Sequence, residues 1–452
     1  MWQTLIFWLT LTLASGGLHA ATPEQAAGLG GAELTPLGAE RAGNADGSIP
    51  AWTGGITAPP AGYDPDRQHT DPFADDPVLF RISTANVDQF ADKLSEGQQA
   101  LLRAYPDSWQ LHVYPTRRSA SYPDWVYAAV KANAVTARVV REGKGGVLDA
   151  NVSSPFPIPN SGVEVIWNHN LRWRGIRVSR TFGQAAVTRK GRYTVTLALQ
   201  DWALPYGALP GTTLRDKFPN MLLALKSKTI QPGLLAGNGA LTLEPIDQTA
   251  DPRKTWQYNR ALRRIVRLPN VAHDFPAFDT DNLRTVDEFD MFNGSPEHYE
   301  WRLLGKRELY IPYNAYRLHS SAAGYGDIIQ QRHINPELVR YELHRVWVVE
   351  GILKPGMKHI YSRRVFYLDE DSWQIAVADN YDQDGKLWRT SEAHALNYYQ
   401  VPVQWSTLEV YYDLKAQRYL VSGLDNQRNP YRFSEQADPR EFSPNALSFY
   451  IR

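Results

Sequence analysis

From about residue 176 onward, apolar and polar side chains alternate with a period of two, in runs broken by turn residues. That period places successive side chains on opposite faces of a pleated strand, so the runs read as β-strands. IRVSRTFGQAAVTRKGRYTVTLAL divides into two strands around Arg189, Lys190 and Gly191. KTWQYNRALRRIVRL, HYEWRLLGKRELYIPY and VRYELHRVWVVEGIL have the same character. KPGMKH then turns into IYSRRVFYLDEDSWQIAVADNYDQDGKLWRTS, with further turns at 369–372 and 382–385. Strands joined by turns, with no helix between them, pair antiparallel as a meander. In VRYELHRVWVVEGIL one face carries Tyr341, Leu343, Arg345, Trp347 and Val349. The other carries Glu342, His344, Val346, Val348 and Glu350. Both faces are part apolar and part charged, which suits a wide curved sheet with one face over a cavity or lid. The pattern predicts at least eight antiparallel strands in one continuous sheet over most of 176–425.

Residues 85–142 change period. In TANVDQFADKLSEGQQALLRAYP, Val87, Phe90, Leu94, Leu101 and Leu102 recur at helical spacing, interrupted at Gly97, with Ser95 and Glu96 before Gln98 as a second start signal. In YPDWVYAAVKANAVTARVV the stripe is Trp125, Ala128, Ala129, Ala132, Val135 and Val139, with Pro123 and Asp124 suited to a first turn. These helices are expected on one face of the sheet, within a single domain over 85–452. Residues 21–84, rich in Gly, Pro, Ala and Asp, read as an extended arm. Its GNADGSIPAWTGGI segment (43–56) carries breakers of both helix and strand. A linker does not usually hold a tryptophan, so Trp52 reads either as the arm's anchor across the sheet or as the plug of a surface groove.

The first twenty residues, MWQTLIFWLTLTLASGGLHA, are an apolar run too short to span a bilayer, followed by small residues. They read as a secretory signal peptide cleaved after Ala20. The chain has no cysteine, hence no disulfide framework, no zinc-thiolate site and no lipid-accepting Cys after the leader. A soluble protein of a bacterial periplasm is the expectation. The 452 residues are 43% hydrophobic and allow a large core, while 48 basic and 48 acidic side chains cancel. A net charge of zero argues against a nucleic-acid partner.

Motifs for chemistry are few. DQDGK (382–386) opens like a calcium loop but lacks the downstream acidic ligand, so a hairpin turn with Gly385 left-handed explains it better. GNGAL (237–241) has no following helix to make a phosphate loop. Neither a serine elbow nor an HExxH spacing occurs. His169, within NHN, and His344, within a strand, read as hydrogen-bonded structural residues rather than ligands or bases. DEFDMF (287–292), near Asp279 and Asp281, reads as a solvated acidic loop, with a divalent cation as the alternative. No cofactor, metal or catalytic residue is assigned, and the chain is expected not to be an enzyme.

GNADGSIPAWTGGI, PFPIP, VIWNHNLRWRG, EFDMFNGSPEHYEWRLLGKRELYIPYN, RYELHRVWVVEGILKPGMKHIYSRRVFYLDEDSW and DGKLWR resemble the successive blocks of one family. It is domain of unknown function 1329, found in Gram-negative envelopes and often labelled as outer-membrane lipoprotein-sorting proteins. The resemblance spans nearly the whole mature chain. It implies a periplasmic protein with the LolA/LolB half-barrel, a mainly β, curved antiparallel sheet closed by helices on its concave face around a greasy cavity. It also implies association with transporters of the resistance-nodulation-division class. Two functions follow. One is a carrier or chaperone for a lipid, a lipoprotein acyl chain or another hydrophobic molecule. The other is a non-catalytic module docking to such a transporter or to an outer-membrane protein. A carrier needs large apolar side chains facing the helices. The candidates are Trp301 and Leu303 in one strand, Tyr341, Leu343 and Trp347 in a second, and Phe366 and Leu368 in a third. Register decides whether the three sets share a face.

Overall fold

The computed structural model describes residues 21–269, 271 and 273–451; the apolar leader lies outside them. Thirteen longer strands form one antiparallel sheet. The first six are β1 (Arg177–Val187), β2 (Thr196–Ala203), β3 (Met221–Gln231), β4 (Gly239–Pro245), β5 (Lys254–Asn259) and β6 (Arg264–Leu268). The other seven are β7 (Tyr299–Pro312), β8 (Tyr341–Leu353), β9 (Arg363–Asp369), β10 (Ile375–Tyr381), β11 (Leu387–Asn397), β12 (Gln404–Asp413) and β13 (Arg418–Leu424). Their order in space is β7 to β13 and then β1 to β6, so two meanders are sewn together where β13 pairs with β1. Three short strands, Phe80–Ile82, Leu111–Val113 and Arg432–Ser434, complete a sheet of sixteen.

The sheet is rolled at one end. Leu309 and Ile311 of β7 share a cluster with Val377 of β10, three strands away. In a flat sheet those strands would stand about 14 Å apart, so contact requires curvature. Bulges supply it at Leu303/Gly305, Tyr367/Leu368, Asn380/Tyr381 and His394/Ala395, each adding local twist. Gly305 adopts φ 99°, a conformation that a side chain would strain.

Helices cover both faces. Helix α1 (Glu96–Ala104) starts where expected. Ser95 accepts from the Gln98 amide, and the Gln98 side chain accepts from the Ser95 amide. Its Leu101 and Leu102 pack with Tyr310, Tyr341 and Leu343. Helix α2 (Asp124–Thr136) belongs to a different cluster, so the two helices do not share one packing surface. Its buried face is also not the expected stripe: Val126, Val130, Asn133 and Ala134 are buried, whereas Ala128, Ala132 and Val135 are exposed. Alanines on several faces make this helix nearly uniform in polarity, so spacing alone selects no face. Helix α3 (Gly162–Leu171) is buried at all ten positions. An all-round apolar environment erases helical periodicity, which hid this element in the sequence. Helix α4 (Pro444–Ile451) lies behind β2, β3 and β4, with Leu447 and Ile451 against Ala203, Ala224 and Leu241.

Where α1 meets the sheet, the Tyr341 hydroxyl donates to Glu392 (2.7 Å) and the Gln98 amide to its other oxygen (3.0 Å). Burial pushes the Glu392 carboxyl up to about 7. A carboxyl raised on folding stabilises below its unfolded value and loses that contribution as pH rises through the folded one. Glu392→Gln should therefore raise the urea midpoint at pH 8, by roughly 1–3 kcal/mol of stability, with the gain vanishing near pH 4.5. Parallel pH profiles for the two proteins would contradict this.

The arm is fastened by arginines. Arg118 donates to the carbonyls of Glu40 (2.8 Å) and Pro50 (3.3 Å), and Arg345 to those of Glu40 (3.2 Å) and Ala42 (2.5 Å). Asp371 and Glu370 hold these two guanidiniums in place. Trp52 is buried, donates from Nε1 to the Ala120 carbonyl (3.2 Å) and lies under Arg41, 5.1 Å from the ring centre. A Cβ on Gly55 would sit 2.2 Å from that same carbonyl, so the glycine permits backbone against backbone. Trp52 thus pins the arm to the largely buried segment 117–121.

Candidate functional site

The seven predicted lining residues divide. Trp301, Leu303, Trp347, Phe366 and Leu368 join one cluster; Tyr341 and Leu343 join the other, under α1. Strand β8 is about 43 Å long at 3.3 Å per residue, so one face of it meets two different layers. Of the five that converge, Phe366 and Leu368 are fully buried, and Trp301, Leu303 and Trp347 are half-buried against them. Trp301 stacks on Phe366 at 5.8 Å, and Trp347 on Trp373 at 6.0 Å. Helix α3 fills the space in front of them: a Cβ on its Gly162 would lie 2.8 Å from the Trp301 backbone carbon. None of the seven lines the prominent grooves of the described residues.

The acidic stretch 287–292 also corrects an expectation. It is buried rather than solvated, and its charges are paired. Asp287 meets Arg364 (2.8 Å) and His359 (3.1 Å), which hold its carboxyl far below the usual range despite burial. Asp290 accepts two bonds from Arg172 (2.7 and 2.8 Å) and one from Arg174. Burial would raise the Asp290 carboxyl, but the two arginines keep it at about 2. His169 accepts at Nδ1 from the Ile375 amide (3.1 Å) and donates from Nε2 to the Asp290 carbonyl (2.8 Å), and burial holds its imidazole at about 3, uncharged. His344 is buried beside Glu342 (3.2 Å) and stacked on Tyr313. At 382–386 the chain makes a hairpin turn, with Gly385 at φ 72°. Two groups bring three ligand-type atoms within 4.8 Å of one another: His273, Glu297 and His298, and His344, Asp369 and Asp371. In the second, Asp371 already serves Arg118.

One groove among several lies on the first meander, on the face away from α4. Phe182 opposes Ala198, Ala198 opposes Thr229, Leu225 opposes Thr242, and Thr242 opposes Thr255. Paired residues share a face, so Phe182, Ala198, Thr229, Leu225, Thr242 and Thr255 form one floor across β1 to β5. Most of these side chains are short, and they leave a trough about 19 Å wide across five strands. The described part of the crossover between the two meanders, from Val271 to His298, runs over it as a roof; Val271, Val286 and Phe289 line the groove and Phe278 stands largely exposed at its rim. The groove is open along its mouth, and its cavity measures about 200 Å³. That is below the roughly 300–1000 Å³ of most small-molecule sites, so the groove suits a narrow chain rather than a bulky molecule.

The roof is tied to the floor. Gln184 donates to the carbonyls of both Phe278 and Asp279 (3.2 Å each), and the roof folds on itself where the Ala277 amide meets the Arg284 carbonyl (3.0 Å). Leu283 is anchored against Tyr411 and Leu420. At the inner end Phe289 stacks on Trp202 (5.2 Å), and Arg180 is boxed by Phe182, Trp202, Trp405 and Tyr431. Two further cations line the groove. Arg253 is bonded to the buried Glu244, whose carboxyl burial pushes up. Arg284 is 6% exposed, and its side chain makes one hydrogen bond among the described residues, from Nη1 to the Ser422 hydroxyl (3.2 Å). Such an arrangement can hold an elongated apolar molecule and offer one end of it a positive charge.

The alternation in TLALQDWA was a legible signal for part of this floor. Strand β3 was not: its run MLLAL is apolar at every position, because Ala224 meets α4 on one face while Leu223 and Leu225 line the groove on the other. No local pattern marks residues 271–289 as a roof, since they pair with no strand.

The molecule is thus a mainly β protein, a half-rolled antiparallel sheet with a roofed trough on one wing and helices on both faces. The chain belongs to the family described as Protein of unknown function (DUF1329), whose profile matches residues 81–448. It is similar to "Uncharacterized protein PA3922" of Pseudomonas aeruginosa, at 45% identity over 440 residues, covering 96% of this chain and 95% of that one. Among solved structures it is similar to a DUF1329 family protein from Desulfovibrio piger. That match has 12% identity and a TM-score of 0.40, covering 60% of this chain and 92% of that one. It is also similar to the LolA superfamily protein NE2245 from Nitrosomonas europaea. There the identity is 10% and the TM-score 0.38, covering 64% of this chain and all (100%) of that one.

Proposed function

We propose that this protein is a periplasmic, non-catalytic carrier that holds a lipid, a lipoprotein acyl chain or a comparable hydrophobic molecule in the groove under the crossover between the two meanders, serving transport across the envelope. The observation that carries this reading is the floor: short side chains in register on five strands, beneath a roof of Val271, Val286 and Phe289. A face meant only for packing would carry side chains large enough to reach its cover, as Trp301, Phe366 and Trp373 do beneath α3. The trough's apolar side chains are interleaved with threonines, glutamines and two arginines, so polar groups line more of it than of most small-molecule sites.

N-phenyl-1-naphthylamine, an uncharged dye that brightens in apolar surroundings, tests this directly. The protein should bind it with a blue shift. Ala198→Trp, which fills the floor, should weaken binding about tenfold or more while leaving the urea midpoint nearly unchanged, because the new ring enters open space. Equal dye binding by both proteins would exclude the groove. Absence of binding by either would favour the docking module, with a resistance-nodulation-division transporter or an outer-membrane protein as its partner.

A further inference from the structure

Around the inner end of the groove, positive charge is in excess. Arg172 and Arg174 grip Asp290, Arg180 sits among four aromatic rings, and Arg284 projects from the roof. The carboxylates facing these four guanidiniums are Asp290 and Glu409. Asp290 is committed to Arg172 and Arg174. Glu409 accepts from the Ser406 and Tyr411 hydroxyls; burial and Asp290 push its carboxyl up against the attraction of Arg284, with which it makes no hydrogen bond or ion pair among the described residues. Asp425, behind Tyr431, is turned to His319 and Thr407. At the groove's other charged positions Glu244 is engaged by Arg253, and Asp279 stands exposed at the rim.

Arg284 is therefore left over. Its Nε is buried with no hydrogen-bond partner, and no carboxylate of the described residues makes an ion pair with it. Its guanidinium lies 5.4 Å from the centre of the Phe289 ring and 5.6 Å from that of Tyr411. A guanidinium does not shed its proton, so burial leaves it charged, and an unpaired buried charge is strongly unfavourable. Its Nε edge presents two parallel N–H groups, the geometry that recognises a carboxylate or a phosphate.

We infer that the ligand is an anionic single-headed amphiphile, its chain lying on the Ala198–Thr242 floor and its carboxylate or phosphate bound by Arg284. This rests on the carrier reading of the same groove and names the class of molecule it takes. Recognition is by charge-assisted hydrogen bonds at the closed end and apolar contact along the trough. The box around Arg180 then bounds the groove, since that cation already donates to Gln200 (2.9 Å) and Tyr431 (3.2 Å).

The test is displacement of bound N-phenyl-1-naphthylamine by oleate, 1-oleoyl-lysophosphatidate and oleyl alcohol, three probes with one chain and different heads. One or both anions should displace the dye at concentrations roughly tenfold or more below the alcohol, and the better of the two identifies carboxylate or phosphate as the head. In Arg284→Met the anions should fall back to the alcohol's level, with dye and alcohol binding retained. The same variant, free of ligand, should have a higher urea midpoint, because an unpaired buried charge has gone. Equal displacement by all three probes in the natural protein would overturn the anionic head while leaving the carrier intact. Failure of the dye itself to bind would remove the carrier reading. Should Arg284→Met not fold, the three-probe comparison on the natural protein decides alone.

Discussion

Asp290→Ala is expected to lower stability by about 3–5 kcal/mol, because it leaves the Arg172 and Arg174 guanidiniums buried without a counter-ion. Burial already pulls the Arg174 guanidinium down to about 10 with Asp290 in place, so the pair has little room for a further loss. The carboxylate also accepts from the Trp405 indole (3.3 Å), and its backbone carbonyl receives His169 (2.8 Å). One residue thus joins α3, the end of the crossover and β12. Equilibrium urea unfolding followed by tryptophan fluorescence measures the loss. A midpoint within experimental error of the natural protein would mean that the buried network is not paired as described. Asp290→Asn should fall between the two, since it keeps the hydrogen bonds but not the charge.

The second large effect concerns the aromatic layer under α3. Trp373 is fully buried, stacks on Trp347 and donates from its indole to the Leu37 carbonyl (3.2 Å), so it ties the arm to the core. Trp373→Ala should cost about 3–5 kcal/mol, the usual range for emptying a packed tryptophan site. Trp347, only half-buried and capped by the Lys306 ammonium at 4.8 Å, should cost less. Neither change should alter dye binding in the groove, because α3 and the floor of β1 to β5 lie in different parts of the sheet. Loss of dye binding with either variant, at unchanged fold, would return the ligand to the face first suggested by Trp301, Trp347 and Phe366.

These residues show where sequence reasoning reached and where it stopped. Strand periodicity placed β7, β8 and the hairpins from β9 to β11, because each alternates between differing surroundings and ends in a turn such as 382–385. The Ser95 cap and Gln98 placed the start of α1, since capping is a local interaction. Helix α3 was hidden by burial on every side, and the buried face of α2 by its even spread of alanine. The candidate lining set was right about alternation within strands, yet blind to which layer each strand half would meet. The groove was least legible of all. Its floor depends on register between strands, its roof on a crossover without periodicity, and its cation on the absence of a partner, which appears only in three dimensions. Conversely, the acidic run 287–292 looked like a solvated loop because its arginine partners, Arg172, Arg174 and Arg364, are distant in sequence.

The most direct test of the central claim is native mass spectrometry, with solvent extraction, of the protein purified from its own cell envelope beside Ala198→Trp and Trp347→Ala. The account predicts a hydrophobic adduct on the natural protein and on Trp347→Ala, and its loss from Ala198→Trp at unchanged stability. An adduct equally abundant on all three proteins, or absent from the natural one, would contradict it.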